Sequence, residues 1–304
     1  MKKLAQLCAH FGGGCVLALF AAGAARAHAP EADHYTAQVS EWAIDPLSVG
    51  LLVLLAGVYW RGSTLLARRR HYPGEHRRRA AAFWSAWAAL AIAFGPPLEP
   101  LTAVSFAAHM AQHELIMLIA APLLVLARPS GVLLWGLPSR SAGALASLAR
   151  ARAMRACIEF FCTPLAAGLL HFAVLWVWHM PAAFEAGLAN EVVHWLQHVS
   201  FFVSAWVFWF AVLAAGRGGE RRGAALISML ATVIHTGILG ALLTFSPSVW
   251  YGSYRVGTGW SGLTPLEDQQ LGGLIMWVPG GAVFLVAGVV LMGLWLKEAE
   301  TRAT

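Results

Sequence analysis

The sequence predicts an all-α protein: a polytopic transmembrane helical bundle of seven spans that follows an N-terminal signal peptide. Of its 304 residues, 59% are hydrophobic and only 12% are charged, and the mean hydropathy is +0.63. A soluble domain carries about 25% charged residues. Seven apolar segments approach or exceed the roughly 20 residues that a helix needs to cross a bilayer. Arginines gather in every second connection, as they do in membrane proteins.

Residues 1–27 have the organisation of a secretory signal. Lys2 and Lys3 form a basic start, residues 4–25 are mostly apolar, and Ala25-Arg26-Ala27 has the small-x-small pattern of a cleavage site. We predict cleavage, which leaves residues 28–45 as a periplasmic N-terminal segment. The alternative is an uncleaved first helix, which the glycines at positions 12–14 would weaken.

The transmembrane domain is predicted at residues 46–296, followed by a cytoplasmic tail at 297–304. Its seven spans are predicted near residues 46–66, 80–98, 104–126, 158–179, 193–215, 224–245 and 270–296. The linker between the third and fourth spans contains prolines and arginines and is predicted to hold an amphipathic surface helix.

Arginine distribution predicts the orientation of the bundle. The connections after the first, third and fifth spans hold nearly all the arginines, and those on the other side hold only Arg255. The rule that basic loops stay in the cytoplasm places the C-terminus there and the mature N-terminus in the periplasm. We therefore predict an integral protein of the bacterial cytoplasmic (inner) membrane. A net charge of +6 can indicate a nucleic-acid partner, but here the arginines lie between the apolar spans. We therefore interpret them as topology signals in a lipid bilayer and predict no nucleic acid as partner.

Histidines dominate the polar pattern of the spans. His109 and His113 lie one helical turn apart in the third span, and His194 and His198 repeat the spacing in the fifth. On a helix such residues share a face, with Cβ atoms roughly 5–6 Å apart. Both pairs fall in the predicted outer half of the membrane. Two further candidate ligands lie in the outer half or at mid-depth: His179 and His235.

The residue types narrow the chemistry of this group. Imidazoles bind zinc, copper, iron or nickel, and the nearby carboxylates are only Glu114 and Asp268. A paired His-x-x-x-His favours a small ion, whereas axial haem ligands approach iron from opposite faces. The spacing leaves copper and haem open. Phosphate-binding, nucleophile-elbow and dinucleotide-binding motifs are absent from the sequence, which sets aside the chemistry that depends on them. Our leading hypothesis is a protein that is not an enzyme.

Six short motifs follow one another along the predicted spans. They are His109-Met110-x-x-His113, Ala121-Pro122-Leu123-Leu124, Trp178-His179-x-Pro181, His194-x-x-x-His198, Leu243-Thr244-Phe245-Ser246 and Asp268-Gln269-Gln270-Leu271-x-Gly273. Together they resemble the CtaG-type assembly factors of caa-type cytochrome c oxidases, over about residues 45–296.

The resemblance implies a multi-span membrane chaperone that is needed to assemble active haem-copper oxidase and has cytochrome c oxidase subunits as partners. It implies a role in copper delivery. Carried over by position, the motif residues of the family are His109, His113, His179, His194, His198, His235 and Asp268.

Our leading hypothesis is an outward-facing copper site, with Cu(I) bound between the third, fourth, fifth and sixth spans. Asp268 would cap the site and orient an imidazole through its second N–H. A haem-binding or redox protein that uses two histidines is the alternative. A copper permease is a third hypothesis and the weakest, because the inner halves of the spans offer few polar groups.

Overall fold

The computed structural model describes residues 46–68, 75–215, 221–255 and 261–303. The predicted signal peptide at 1–27 and the N-terminal segment at 28–45 lie outside the described residues. Twelve α-helices, numbered here in chain order, account for most of the described chain. They are α1 Pro46–Ala67, α2 Glu75–Ala93, α3 Leu98–Thr102, α4 Phe106–Ala127, α5 Ser130–Gly136, α6 Ser139–Arg150, α7 Arg152–Phe161, α8 Pro164–His179, α9 Pro181–Ala189, α10 Glu191–Ala215, α11 Arg222–Thr244 and α12 Pro265–Ala303. The predicted all-α class is confirmed.

Five of these helices are long and apolar enough to cross a membrane: α1, α4, α10, α11 and α12. A sixth crossing results if the bent pair α7 and α8 counts as one span. The remaining predicted span, at 80–98, corresponds to α2, which begins earlier with the charged run Glu75-His76-Arg77-Arg78-Arg79. Helix α2 ends at Ala93, where Gly95-Pro96-Pro97 follows and proline cannot continue a helix. Seven spans therefore stay a prediction.

The fourth predicted span is broken near its start. Helices α7 and α8 meet at an angle of 85°, between Phe161 and Pro164. Pro164 has no N–H to donate, so it suits the first turn of a new helix and disrupts the interior of an old one. The chain therefore enters α8 at Pro164 and not at residue 158 as predicted. Helix α7 has no buried residue and lies on the surface, as we expected for the linker.

Helix α4 changes its winding in the middle. Residues Leu115–Ala120 form a π-helix, directly before Pro122 in the next α-helical turn. The ring of a proline collides with the carbonyl four residues earlier, and the wider π turn relieves that collision. The Met117 carbonyl in this turn accepts a hydrogen bond of 3.0 Å from Trp209 Nε1 on α10. The irregular turn thus ties α4 to α10.

Helices α4 and α10 are the two most buried spans, and each carries one histidine pair. Helix α12 packs along both α11 and α4, while α8 packs against α10 and α11. The histidine pairs lie near the first residues of α4 and α10, and His179 ends α8. These three helices therefore bring their histidines to the same end of the bundle. Basic residues occupy the opposite ends of two of the helices, with Arg128 after α4 and Arg221 and Arg222 after α10.

Two glycines allow the backbones of α1 and α5 to touch. A Cβ atom on Gly62 would collide with the Val132 carbonyl, and one on Gly136 would collide with the Val58 carbonyl. Small residues permit such close crossings of membrane helices, where packing replaces the hydrophobic effect as the source of association.

We expect Gly62→Ala to lower the free energy of unfolding by about 1–3 kcal/mol, because the collision is with rigid backbone. Unfolding by titration with a denaturing detergent measures this. Gly57→Ala in the same helix is the matched control, since a Cβ at Gly57 meets nothing within 4 Å. Equal stability of the two variants would contradict the close crossing.

Candidate metal centre

Hydrogen bonds from side chains fix the first turn of α4, which precedes its two histidines. Ser105 is the N-cap residue, and its Oγ accepts a hydrogen bond of 3.1 Å from the Ala108 N–H. Asp268 of α12 accepts from both sides of this cap, at 2.7 Å from Ser105 Oγ and 2.6 Å from the Phe106 N–H. Helix N-termini leave backbone donors unsatisfied and favour a carboxylate there. The cap therefore sets the position of the turn that carries His109.

The two histidine pairs face each other across α4 and α10. The Nε2 atoms of His109 and His113 are 3.1 Å apart. Ring centroids lie 5.4 Å apart for His109 and His194, and 5.2 Å apart for His113 and His198. One ring nitrogen from each of His109, His194 and His198 lies within 4.8 Å of the other two. These three residues form what we call the three-histidine site.

Three nitrogens that bind one ion at about 2.0 Å lie about 3.5 Å from one another. The imidazoles would therefore draw inward by a small side-chain rotation when an ion binds. His109 and His198 are buried, and His194 is partly exposed.

His179 extends the cluster from a third helix. Its Nδ1 donates to the Leu175 carbonyl at 2.7 Å, one turn earlier in α8. A carbonyl can only accept, so the proton is on Nδ1 and Nε2 carries a lone pair. That Nε2 atom is buried and has no hydrogen-bond partner. His179 also lies close enough to His109 and His113 to interact with them electrostatically.

Aromatic rings pack against the buried members of the cluster. The ring centroid of Phe201 lies 4.6 Å from that of His113 and 6.0 Å from that of His179. Phe184 of α9 lies 5.1 Å from the His109 ring. An unpaired polar atom in such surroundings is costly unless a ligand satisfies it.

The loop between α11 and α12 closes this end of the bundle. Tyr251 Oη donates to the His179 carbonyl at 3.0 Å, and Ser253 donates from its N–H and its hydroxyl to the Glu185 carboxylate of α9. Burial and then the nearby Glu185 charge raise the pKa of Tyr251, so its hydroxyl stays protonated and donates. Tyr254 contacts His109 directly, with 3.0 Å between Oη and Nδ1.

Sequence reasoning gave these tyrosines a different environment. Trp250, Tyr251, Tyr254 and Trp260 gather in this loop, and such a group between two spans predicts an aromatic belt at the membrane surface. For the two tyrosines this prediction is wrong, because both are buried. A tyrosine that is buried needs a partner for its hydroxyl, and here the partners are the His179 carbonyl and the His109 ring. No local signal in the sequence distinguishes these two settings.

Two of the predicted ligands lie apart from the three-histidine site. His235 packs its ring edge-on against Phe172 of α8, at 5.0 Å, and interacts electrostatically with His171. Asp268 uses both carboxylate oxygens in the cap of α4, and the described residues show no hydrogen bond from it to an imidazole. The expected orientation of an imidazole by Asp268 is therefore not observed.

The polar residues next to the α4 histidines make contacts outside the three-histidine site. Gln112 donates from Nε2 to the Ala93 carbonyl at the end of α2, at 2.8 Å, and to the Glu99 carboxylate. Glu114 is turned toward α12, where a Cβ on Gly280 would lie 3.1 Å from its Oε2. Ligand roles for all seven predicted residues stay predictions, and five of these residues are close together: His109, His113, His179, His194 and His198.

The fold and the site define an integral membrane protein with a buried multi-histidine cluster at one end of its helices. The chain belongs to the cytochrome c oxidase caa3 assembly factor family (Caa3_CtaG), whose sequence model matches residues 57–298. No curated protein and no solved structure matches the chain. Membership identifies a cytochrome c oxidase assembly factor, with the oxidase as partner, in a family that is not catalytic.

Proposed function

We propose that this assembly factor binds Cu(I) at the three-histidine site and passes it to cytochrome c oxidase. The observation that carries the proposal is the approach of His109, His194 and His198 to within 4.8 Å at their ring nitrogens. The family supplies the context, because its members assemble an oxidase. In this proposal copper is the cargo of the protein and not a resident cofactor.

The chemistry of the donor set favours Cu(I) over divalent ions. The three ligands are neutral imidazoles, and no carboxylate joins their group among the described residues. The cost of burying an ion in a low-dielectric interior rises with the square of its charge, so a monovalent ion is much less costly here. Imidazole is a good ligand for copper, and a site with three ligands suits an ion that must leave again.

His113 and His179 are suited to exchange. Each has one buried ring nitrogen without a hydrogen-bond partner, Nδ1 in His113 and Nε2 in His179. A rotation of either ring would bring its lone pair to the ion before another ligand departs. Stepwise exchange avoids an intermediate in which the ion has lost all its ligands at once.

We further propose that the site faces the periplasm and that the C-terminus lies in the cytoplasm. His113 and Arg128 are separated by 15 residues, which corresponds to roughly 22 Å along a helix. In this proposal the cluster and the basic end of α4 lie on opposite sides of most of the hydrocarbon layer, which that separation allows. The arginines then lie on the cytoplasmic side, as the positive-inside rule requires.

Metal analysis of the purified protein tests the proposal. We expect stoichiometric copper after loading with Cu(I) under reducing, oxygen-free conditions, and little copper in the double variant His109→Ala with His113→Ala. His171→Ala is the matched control, because His171 is equally buried but bonds to Ser204 at 3.1 Å outside the cluster.

Two results would overturn the proposal. One is a wild-type protein that takes up no copper under these conditions. The other is a Soret absorbance band in the purified protein, which would identify haem as the bound group instead.

A further inference from the structure

Tyr254 contacts His109 at the nitrogen opposite the one that meets His113. Its Oη lies 3.0 Å from His109 Nδ1, while His109 Nε2 lies 3.1 Å from His113 Nε2. The same Oη donates to the Thr102 carbonyl at 2.7 Å. Thr102 is the last residue of α3, so three separate segments of the chain meet at this hydroxyl.

Counting protons at this hydroxyl fixes the direction of each hydrogen bond. A tyrosine hydroxyl has one proton, and a carbonyl oxygen can only accept. The proton of Tyr254 is therefore committed to Thr102, and the hydroxyl oxygen presents a lone pair to His109. Only a proton on His109 Nδ1 makes that second contact favourable.

We infer that Tyr254 is a positioning residue that holds His109 in the tautomer with its proton on Nδ1. The inference rests on the proposed function, because its consequence is that the lone pair of Nε2 is available to the ion in the three-histidine site. Tyr254 itself touches no ion. It acts through the imidazole, as a carbonyl or carboxylate does behind many metal-binding histidines.

The state of His113 follows from the same count. Since His109 Nε2 carries a lone pair, the 3.1 Å contact between the two rings requires a proton on His113 Nε2. His113 Nδ1 then carries a lone pair, which agrees with its being buried without a hydrogen-bond partner. In the absence of the ion, His113 therefore donates a hydrogen bond to Nε2 of His109, the atom that would bind the ion. The His113 ring must rotate away when the ion binds.

The opposite tautomer of His109 would block the site. A proton on Nε2 would point toward the cluster, and the lone pair would face a hydroxyl oxygen that has no proton to give. An ion would then have to displace that proton before it could bind.

Nitrogen NMR of the copper-free protein tests this inference. We would label histidine with ¹³C and ¹⁵N, reconstitute the protein in phosphatidylcholine vesicles, and assign His109 by the signals that His109→Gln removes. Correlation of each nitrogen with its neighbouring carbons shows which nitrogen carries the proton. We expect the Nδ1–H form in the wild type and a shift toward the Nε2–H form in Tyr254→Phe.

Cu(I) affinity provides the second readout, measured by competition with a chromophoric chelator. We expect Tyr254→Phe to weaken binding by about 10–100-fold, as losses behind a metal ligand usually do. Tyr251→Phe is the matched control: it lies in the same loop and is equally buried, but its hydroxyl bonds to the His179 carbonyl. We expect it to leave the His109 tautomer unchanged.

The outcomes separate this inference from the proposed function. The backbone of Thr102 also interacts with the His109 ring. A Tyr254→Phe protein that keeps the Nδ1–H form would overturn the inference, since Thr102 would then hold the ring by itself. A shifted tautomer with unchanged Cu(I) affinity would overturn the positioning role as well. A wild-type protein that binds no Cu(I) would overturn the proposed function, whereas the NMR result on the copper-free protein would still decide the tautomer.

Discussion

Asp268→Ala is expected to lower the free energy of unfolding by about 2–4 kcal/mol, because two buried donors lose their acceptor at once. The carboxylate accepts from Ser105 Oγ at 2.7 Å and from the Phe106 N–H at 2.6 Å, and it is 1% exposed. Ser105 and Phe106 are themselves buried, so bulk solvent does not supply a replacement acceptor. The N-terminus of α4 should loosen, and amide hydrogen exchange at Phe106 should become faster.

Three variants separate this structural role from the ligand role that the sequence suggested. Asp268→Asn keeps one acceptor oxygen and should lose less stability than Asp268→Ala. If Asp268 were a ligand, Asp268→Asn would abolish Cu(I) binding while leaving α4 in place. Glu267→Ala is the matched control, because the neighbouring Glu267 is exposed and, within the described part of the chain, its carboxylate bonds to Thr264 just before its own helix. Detergent unfolding and copper content, measured on the same samples, decide between the two roles.

The histidine cluster could be predicted from the sequence because the evidence for it is local. Spacing of i and i+4 puts His109 beside His113, and His194 beside His198, on any straight helix. The arginine pattern then places both pairs at the same end of the bundle. The approach of His109, His194 and His198 to within 4.8 Å agrees with that placement.

The rotation of a helix about its axis depends on the helices that pack against it, so a local sequence pattern does not predict it. His235 lies at a suitable depth on α11, but its ring packs against Phe172 of α8. Depth follows from counting residues along one helix, whereas the direction of a side chain depends on which faces of several helices pack together. Asp268 illustrates the same point, since the unsatisfied donors that it accepts from belong to another helix.

The geometry of the loop between α11 and α12 could not be predicted from the sequence either. Tyr254 lies in a single turn of 3₁₀ helix, Gly252–Tyr254, and reaches His109 across 145 positions of the chain. The break before α8 was not predicted either, although Pro164 within the predicted span is a local signal for it. Proline has a local effect on the backbone, whereas a tyrosine in a loop acquires its partner only when the whole fold is formed.

His194→Ala is expected to weaken Cu(I) binding by at least about 100-fold, which corresponds to ~2.7 kcal/mol. The variant removes one of the three ligands and leaves two that belong to different helices. His194 is partly exposed, so its truncation leaves a smaller cavity than the loss of His109 would. Stability should therefore change little while affinity changes greatly.

His235→Ala is the control that distinguishes the cluster from the larger set of residues the sequence suggested. Its ring contacts Phe172 and lies near His171, outside the three-histidine site. Sites without shared partners usually act independently within about 0.3–0.5 kcal/mol, so Cu(I) affinity should stay within about twofold of the wild type. Competition with a chromophoric chelator measures both variants. Equal losses in the two would mean that His235 supports the ion as strongly as His194 does, and would contradict a site made by His109, His194 and His198 alone.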